Sequence, residues 1–216
     1  MKGAMRYLPL EVDVQGRDAL VVGTGAEVLS KVDRLVDAGA CVTVIAEDEP
    51  GPELEARAAA GAVTLLRRRA TDADLEGRAI VFVTPFTTPE GEARARRWHA
   101  EAAGAGRLFC AIDRPEACTF VNSAVVRAPG LTMTFNTGGQ SPGTARRIRE
   151  DLEALFADPR FELFMTKLAA LRASLPRGER AARMAEVVKG FAVEARLRFP
   201  AWLERGEEPP RPPEPA

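Results

Sequence analysis

The sequence predicts an α/β protein with a Rossmann-like parallel sheet, followed by a small second sheet and a C-terminal helical region. Over the first half, short apolar runs alternate with segments of helical periodicity. These runs contain few polar residues, which is typical of strands in a parallel sheet that helices cover on both faces. After Asp113 the rhythm changes to closely spaced short runs and then to helices.

The apolar runs of the first half are the predicted strands of the parallel sheet: Ala19–Val22, Cys41–Ile45, Val63–Leu66, Ala79–Val83 and Leu108–Ile112. After the first run, apolar residues recur at helical spacing and Gly39 ends the helix. Two more helices are predicted over Glu53–Ala60 and Pro89–Ala103. The alternation implies right-handed crossovers between parallel strands.

The second half predicts a small sheet from three short runs: Thr119–Val121, Ala124–Arg127 and Leu131–Phe135. Pro129-Gly130 forms the turn between the last two. Ser141 is the predicted N-cap of a helix that begins at Pro142. The remaining predicted helices are Phe161–Leu175 and Arg180–Phe199, and the Pro/Glu-rich tail from Gly206 is predicted to be disordered.

These patterns divide the chain into four predicted parts. Residues 1–114 form the dinucleotide-binding domain and residues 115–140 the small central sheet. Residues 141–205 form a helical domain, and residues 206–216 form the tail.

Composition excludes several classes of function. The 216 residues carry 30 Lys+Arg against 31 Asp+Glu, so bulk electrostatic coating of nucleic acid is not expected. No apolar run approaches the roughly 18 residues of a membrane span, and residues 1–10 lack a signal-peptide core. We therefore expect a cytoplasmic protein with neither nucleic acid nor membrane as a partner.

Cysteine and histidine content argues against a metal centre. The three cysteines contain no CxxC pair, and His99 is the only histidine. Cys41 and Cys110 lie in apolar runs and are predicted to be small buried hydrophobes.

The first chemical motif is the turn Gly23-Thr24-Gly25 between a strand and a helix. Such a turn lets the backbone approach a pyrophosphate at the helix N-terminus. Ala26 and Thr84 are predicted to contact the same cofactor, and Glu47 is a candidate ribose ligand. Val28 stands where the fingerprint has a third glycine, and a plain tight βα turn is the alternative interpretation. The absence of a basic residue near Glu47 favours NAD over NADP.

Asp113 follows the last predicted strand of the parallel sheet. A carboxylate at the C-terminal end of such a strand faces the ligand crevice, where it can act as a general base. The alternative is an Asp-x-Pro turn in which Asp113 caps the next segment.

A glycine-rich loop enters the helix at Pro142. Its backbone donors suit an anion such as a phosphate or a carboxylate, and an ordinary helix-entry loop is the alternative. The candidate ligands for an anionic substrate are Asn136, Thr137, Gly138, Gly139, Ser141 and Arg146. The helices beyond the loop carry many basic residues, which could form a partly basic wall for a polycarboxylate ligand. For most of them, a solvated helix face is the safer interpretation.

Together these motifs resemble the N-terminal module of the siroheme synthase family, which comprises precorrin-2 dehydrogenases that are often also sirohydrochlorin ferrochelatases. The resemblance extends over about residues 7–155. The segments that carry it are Tyr7–Val12, Gly16-Arg17, Leu20–Gly25, Lys31, Phe109–Pro115, Cys118–Val121 and Leu131–Pro142.

The resemblance implies an NAD-dependent oxidation of precorrin-2 to sirohydrochlorin, and some members of the family also insert ferrous iron. By similarity, Asp113 is the catalytic aspartate and Gly23, Thr24 and Gly25 form the NAD turn. Thr137 matches a hydroxyl position that lines the tetrapyrrole site. The family is homodimeric, with the small central sheet of residues 115–140 exchanged or packed across the dimer, so the resemblance also implies an active site between subunits.

Two other functions stay open at the level of the sequence. A non-enzymatic NAD-sensing module would share the first domain, but it has no need of the Asp113 segment or the glycine-rich loop. A chelatase-only protein whose NAD site has decayed is the second, because Val28 and Pro85 depart from the usual pattern.

Overall fold

The structure is a computed structural model that describes residues 7–84, 88–138 and 140–210. Its strands are β1 (Asp18–Val22), β2 (Cys41–Ala46), β3 (Thr64–Arg67), β4 (Ile80–Val83), β5 (Leu108–Ala111), β6 (Ala124–Ala128) and β7 (Leu131–Phe135). Its helices are α1 (Ala26–Asp37), α2 (Pro52–Ala59), α3 (Pro89–Gly104), α4 (Pro142–Phe156), α5 (Pro159–Ser174), α6 (Arg180–Val187) and α7 (Ala201–Glu204). None of the described helices combines the length and the apolar character needed to cross a membrane.

The first five strands form one parallel sheet in the order β3-β2-β1-β4-β5, which confirms the predicted fold class. β1 lies at the centre, where Val22 pairs with Ile45 of β2 and with Val83 of β4. Along the chain, β2 and β3 are added on one side of β1, and β4 and β5 are then added on the other side. The gap between the crossovers at β1 and β4 is therefore the topological switch point at which such sheets bind ligands.

Alternate residues of β1 point into two separate cores. Ala19 and Val21 pack with α1 residues on one face, and Leu20 and Val22 pack with Trp98 of α3 on the other. The four residues are at most 1% exposed. Burial on both faces explains why the strands are apolar at nearly every position.

The end of α1 follows the predicted glycine rule. Gly39 has φ 77°, a left-handed conformation that costs glycine little. Its N–H donates to the carbonyl of Val36 at 2.9 Å, and the N–H of Ala40 donates to Leu35 at 3.0 Å. These bonds satisfy the last carbonyls of the helix and turn the chain into β2.

β6 and β7 form the predicted small sheet, and their two-residue connection makes it antiparallel. Gly130 in that connection has φ 68°. The predicted strand Thr119–Val121 is wrong, because this segment forms no strand and only Cys118 makes a bridge to β5. The Thr119 hydroxyl accepts the N–H of Phe109 at 2.8 Å, so a side chain ends the pairing with β5.

α4 begins as predicted. The Ser141 hydroxyl accepts the N–H of Thr144 at 3.3 Å. α5 begins at Pro159, before the predicted Phe161, because the Asp158 carboxylate accepts the N–H of Arg160 at 2.9 Å and caps the helix there.

The single helix predicted over Arg180–Phe199 is wrong. α6 ends at Val187, and residues 191–200 have no regular structure. Phe191 stacks on Phe164 with ring centroids 5.0 Å apart, so aromatic packing overrides the helical periodicity at this point. Residues 206–210 of the tail also have no regular structure, and its last six residues lie outside the described residues.

The described residues separate into two compact units. One comprises the chain up to Arg127 together with Thr132–Glu153, and the other comprises Ala128–Leu131 together with residues from Ala154 onward. The first unit contains the parallel sheet. The four-part division drawn from the sequence stays a prediction.

A half-buried ion pair holds the carboxyl end of β2 to α3. Glu47 accepts Arg94 Nη2 at 2.6 Å and the backbone N–H of Ala70 at 2.8 Å. Burial raises the pKa of Glu47, but the hydrogen bonds and positive charge of Arg94 outweigh it, and the net pKa lies below the ordinary value of 4.5. The charged form of Glu47 is therefore a structural group of the first unit.

We predict that Glu47→Gln lowers the free energy of unfolding at pH 7 by about 1–2 kcal/mol, because glutamine keeps the acceptor for Ala70 and loses the charge beside Arg94. The folded pKa is depressed, so the contribution is fully present above the unfolded pKa near 4.5 and is lost as pH falls through the folded pKa. Urea unfolding at pH 7 and at pH 3 measures both effects.

The matched control is Glu76→Gln, since Glu76 is exposed and its side chain makes no hydrogen bond among the described residues. This variant should unfold like the wild type at both pH values. A Glu47→Gln deficit that is equally large at pH 3 would show that the charge is not responsible.

Candidate functional site

The turn after β1 is built around a glycine that the neighbouring strand end requires. Gly23 has φ 121°, and its N–H donates to the carbonyl of Ile45 at 2.8 Å. A Cβ at Gly23 would overlap the hydroxyl of Thr84, whose N–H donates to Val22 at 3.0 Å. Gly23 thus allows the ends of β1 and β4 to approach closely, and this contact brings Thr84 to the turn.

Gly25 leaves the N-terminus of α1 open. It is the N-cap residue, with φ 90°, and no side chain caps the helix. A Cβ built there would meet no described atom within 4 Å. The space beside Gly25 is therefore open among the described residues, at the positive end of the helix dipole.

This geometry fits the pyrophosphate of a dinucleotide, which needs close backbone approach and helix N–H donors. Val28, in place of the third glycine, is fully buried in the core beside the sheet. It therefore packs the helix against the sheet and leaves the turn unobstructed.

Lys31 lies on the buried face of α1, and no functional role was predicted for it. Among the described residues it is the only buried charged side chain, at 6% exposure. Its ammonium group lies 3.1 Å from Glu27 Oε2, which belongs to the first turn of the helix. The pair neutralises a carboxylate that would otherwise repel an anion at this helix end. The sequence signal that could have revealed Lys31 is a lysine within an otherwise apolar helical face.

Asp113 lies just past β5, at the same edge of the sheet. It is the only described non-glycine residue with a positive φ, 61°, and the Arg114 N–H closes its turn on the Ala111 carbonyl at 3.1 Å. Its side chain is exposed and accepts no hydrogen bond among the described residues. The short helix after it, Pro115–Ala117, has Arg114 as N-cap and no side-chain cap, so the structure does not show the alternative role as a cap. A strained turn that presents a bare carboxylate suits a proton acceptor.

Glu47 also reaches this edge of the sheet, one residue past β2, but its two oxygens already have the partners described above. A basic side chain, Arg94, does lie beside it. Sequence spacing did not reveal this neighbour, because Arg94 comes from α3. The ribose contact of Glu47 stays a prediction.

The glycine-rich loop uses its own side chains to hold its shape. Asn136 Oδ1 accepts the Gly138 N–H at 3.0 Å, and the Thr137 hydroxyl accepts the Ser141 N–H at 3.1 Å. Arg146 is 76% exposed and pairs with Glu150 at 2.9 Å. Because Thr137 serves as an acceptor here, its own O–H can still donate to a ligand.

The structure therefore brings some predicted residues together and leaves others apart. The carboxyl edge of the sheet collects Gly23, Thr24, Gly25, Ala26, Glu47, Thr84 and Asp113. Among the described residues, no hydrogen bond or ion pair joins the loop at Asn136–Gly138 to that edge. Gly139, the fourth loop position, lies outside the described residues, as does Pro85.

The cysteines follow the prediction only in part. Cys110 is buried as predicted, whereas Cys41 is exposed, so its prediction is wrong. Cys41 is the first residue of β2, at the amino edge of the sheet, where neither covering layer reaches it. Across the described residues no cluster of His, Cys, Asp or Glu could hold a metal ion.

Comparison with known proteins identifies relatives of this chain. It is 34% identical to siroheme synthase 1 of Cronobacter sakazakii over 187 residues, which are 87% of this chain and 34% of that protein. It is 37% identical to the siroheme synthase of Pseudomonas entomophila over 151 residues, 69% of this chain and 31% of that protein. The chain thus spans about a third of the length of these curated relatives.

A solved structure described as SirC, precorrin-2 dehydrogenase, superposes with a TM-score of 0.69 at 19% identity. The match covers 85% of this chain and 90% of that one, and it confirms the fold. A family model described as putative NAD(P)-binding matches residues 10–124, which contain the whole parallel sheet and the Asp113 turn. This chain belongs to that NAD(P)-binding family.

Proposed function

We propose that this chain is an NAD-dependent dehydrogenase that oxidises precorrin-2 to sirohydrochlorin in siroheme biosynthesis. The observation that carries the proposal is the bare carboxylate of Asp113 at the same sheet edge as the open N-terminus of α1. The siroheme synthases and the precorrin-2 dehydrogenase found by comparison support it.

The residues of the turn would hold NAD through backbone donors. Gly23, Thr24, Gly25 and Ala26 would bind the pyrophosphate, Thr84 would line the cavity beside it, and Glu47 would contact the ribose. When bound, NAD⁺ supplies a hydride acceptor. We propose NAD as the cofactor, and titration with NADP⁺ tests the preference because Arg94 pairs with the Glu47 carboxylate.

Oxidation of precorrin-2 removes a hydride and a proton from the macrocycle, and Asp113 would take the proton. Its carboxylate needs no prior release from another side chain, since it accepts no hydrogen bond among the described residues. A positioned general base contributes about 10²–10⁴-fold to the rate.

The glycine-rich loop would bind the acidic side chains of the tetrapyrrole. Backbone donors near Gly138 and Gly139, the hydroxyls of Thr137 and Ser141, the Asn136 amide and the Arg146 guanidinium all suit carboxylates. The loop is not joined to the sheet edge by any described bond. We propose a homodimer in which the subunits complete the site, because the siroheme synthase family that the chain resembles is homodimeric. We also propose that the protein acts in the cytoplasm, as the sequence leads us to expect.

Insertion of ferrous iron into sirohydrochlorin is a second activity that the same residue would support. Metal insertion requires the pyrrole N–H protons to leave, and Asp113 would accept them. The name of the relatives, siroheme synthase, favours testing it. Iron is a substrate in this proposal.

We predict that Asp113→Asn lowers the rate of precorrin-2 oxidation by at least 10²-fold and leaves the NAD dissociation constant unchanged. Asparagine tolerates the left-handed conformation at φ 61°, whereas alanine adds backbone strain of about 1–2 kcal/mol. Anaerobic incubation with precorrin-2 and NAD⁺ measures the rate as NADH formation and as the sirohydrochlorin spectrum.

Glu116→Gln is the control, because Glu116 is an exposed carboxylate in the short helix that follows the Asp113 turn. It should turn over at the wild-type rate. Wild-type protein that binds NAD⁺ without turnover would favour the sensor, and metal insertion without NAD-dependent oxidation would favour the chelatase-only alternative. A fully active Asp113→Asn variant would show that Asp113 is not the general base.

We predict that Gly25→Ala raises the dissociation constant of NAD⁺ at least tenfold, because the new methyl group projects into the space before the helix N-terminus. It also strains a residue at φ 90° and ψ −179°, a region that is essentially restricted to glycine and costs other residues about 1–3 kcal/mol. Isothermal titration with NAD⁺ and with NADP⁺ measures the effect and the cofactor preference.

Gly16→Ala controls for the backbone strain. Gly16 has φ 67° and open space around its Cβ position, but it precedes β1 at the opposite edge of the sheet. It should lose about 1–2 kcal/mol of stability to backbone strain and keep wild-type NAD⁺ affinity. Equal affinities in both variants would contradict the placement of the cofactor.

A further inference from the structure

Two buried thiols face each other beside the Asp113 turn. Sγ of Cys110, in β5, lies 3.7 Å from Sγ of Cys118, and both residues are at most 6% exposed. Cys110 was predicted only to be a small buried hydrophobe, and no chemistry was predicted for Cys118.

The backbone holds the two cysteines directly opposite each other. They form an antiparallel bridge flanked by a hydrogen bond from the Thr119 N–H to the Phe109 carbonyl at 2.8 Å. This pattern marks a non-hydrogen-bonded pair, whose Cα atoms lie about 4.5 Å apart. Disulfides span Cα separations of about 4.4–6.8 Å. Rotation of the side chains is therefore sufficient to join the two sulfurs.

The Thr119 side chain fixes this register. Its hydroxyl accepts the Phe109 N–H at 2.8 Å and donates to the Arg107 carbonyl at 2.8 Å. The two thiols therefore stay opposite each other without a longer strand pairing around them.

The Cys110 thiol stays protonated. The hydrogen bond with Cys118 and burial raise the pKa of Cys110 far above its ordinary value, and the nearby charge of Asp113 acts in the same direction. The positive charge of Lys31 opposes this shift without cancelling it. A buried thiol with a raised pKa reacts slowly with any oxidant, so the oxidation is followed over a prolonged incubation.

We propose that Cys110 and Cys118 are a redox modification site, which a disulfide oxidant converts to an intramolecular disulfide. One thiol, as its thiolate, attacks the oxidant to give a mixed disulfide and releases one thiol from it. The second cysteine then attacks the mixed disulfide and releases the other. Together the two cysteines lose two protons and two electrons, and the oxidant is reduced to two thiols.

The bond would close a loop around the turn that carries Asp113. In the reduced form, Cys118 Sγ lies 3.2 Å from the carbonyl oxygens of Ala111 and Arg114, the two ends of that turn. Oxidation removes the S–H donor and draws Cys118 toward Cys110. The turn therefore loses a support on oxidation. This consequence for turnover rests on the proposed function, whereas formation of the disulfide does not.

The test uses the full chain with glutathione disulfide as the oxidant. Trypsin does not cleave before Pro115, so residues 108–127 form one peptide that contains both cysteines. We expect this peptide to lose about 2 Da on oxidation and to regain it with dithiothreitol. In a Cys41→Ser protein, alkylation after denaturation should then label two thiols in the reduced form and none in the oxidised form.

Cys41→Ser and Cys118→Ala separate the pair from the exposed cysteine. Cys41→Ser should still lose about 2 Da, whereas Cys118→Ala should not. Oxidised protein that still has both thiols of the pair, or that gains glutathione only at Cys41, would overturn the proposal. Because the mass reports the bond directly, it does not depend on whether precorrin-2 is the substrate.

Turnover of the Cys41→Ser protein tests the consequence for Asp113. We expect oxidation to lower the rate about tenfold or more, because a shift of about 1 Å at a catalytic group is costly, and dithiothreitol to restore it. An unchanged rate in fully oxidised protein would show that the disulfide forms without acting on the turn. Reduced protein without turnover would instead count against the proposed function.

Discussion

The structure depends on the parallel pairing of β1 with strands on both of its sides. Val22 sits between Ile45 and Val83, and this register aligns the ends of three strands within one step of the backbone. The predicted functional groups come directly after the strand ends. They are the glycine turn after β1, Glu47 after β2, Thr84 after β4 and Asp113 after β5. The apolar cores on the two faces supply the stability that lets polar and strained residues collect at this edge.

Two residues with positive φ shape that edge. Gly23 allows the backbone to approach Thr84, because any side chain there would overlap its hydroxyl. Asp113 adopts the left-handed region, which aspartate tolerates better than most residues, in a turn that Ala111 and Arg114 close. Cys118 of the Cys110–Cys118 pair contacts the carbonyl oxygens of both ends of that turn.

The sequence predicted the parallel sheet well because each of its strands is buried on two faces and leaves a continuous apolar run. It predicted the position of Asp113 and the glycine turn because both are set by strand ends. It failed at Thr119–Val121, where one hydroxyl takes a backbone partner, and at Phe191, where ring stacking ends a periodic helix. These failures have the same origin, because the local sequence pattern does not show which residues meet from other parts of the chain.

The sequence also did not predict which charged side chains form ion pairs. Arg94 meets Glu47 across forty-seven positions, and spacing along the chain did not indicate the pair. Lys31 could have been found, because a lysine among Val28, Val32 and Leu35 breaks an apolar face. The left-handed φ of Asp113 could not have been predicted from the sequence, since aspartate is common in many turn types.

The central claim is that a dinucleotide and the Asp113 carboxylate share one crevice at the carboxyl edge of the sheet. Titration of isotope-labelled protein with NAD⁺, followed by backbone amide NMR, tests it most directly. The account predicts that the largest shifts cluster at residues 23–26 and 84 and extend to residues 112–114. Shifts confined to the opposite edge of the sheet, or a saturated complex in which residues 112–114 do not respond, would contradict it.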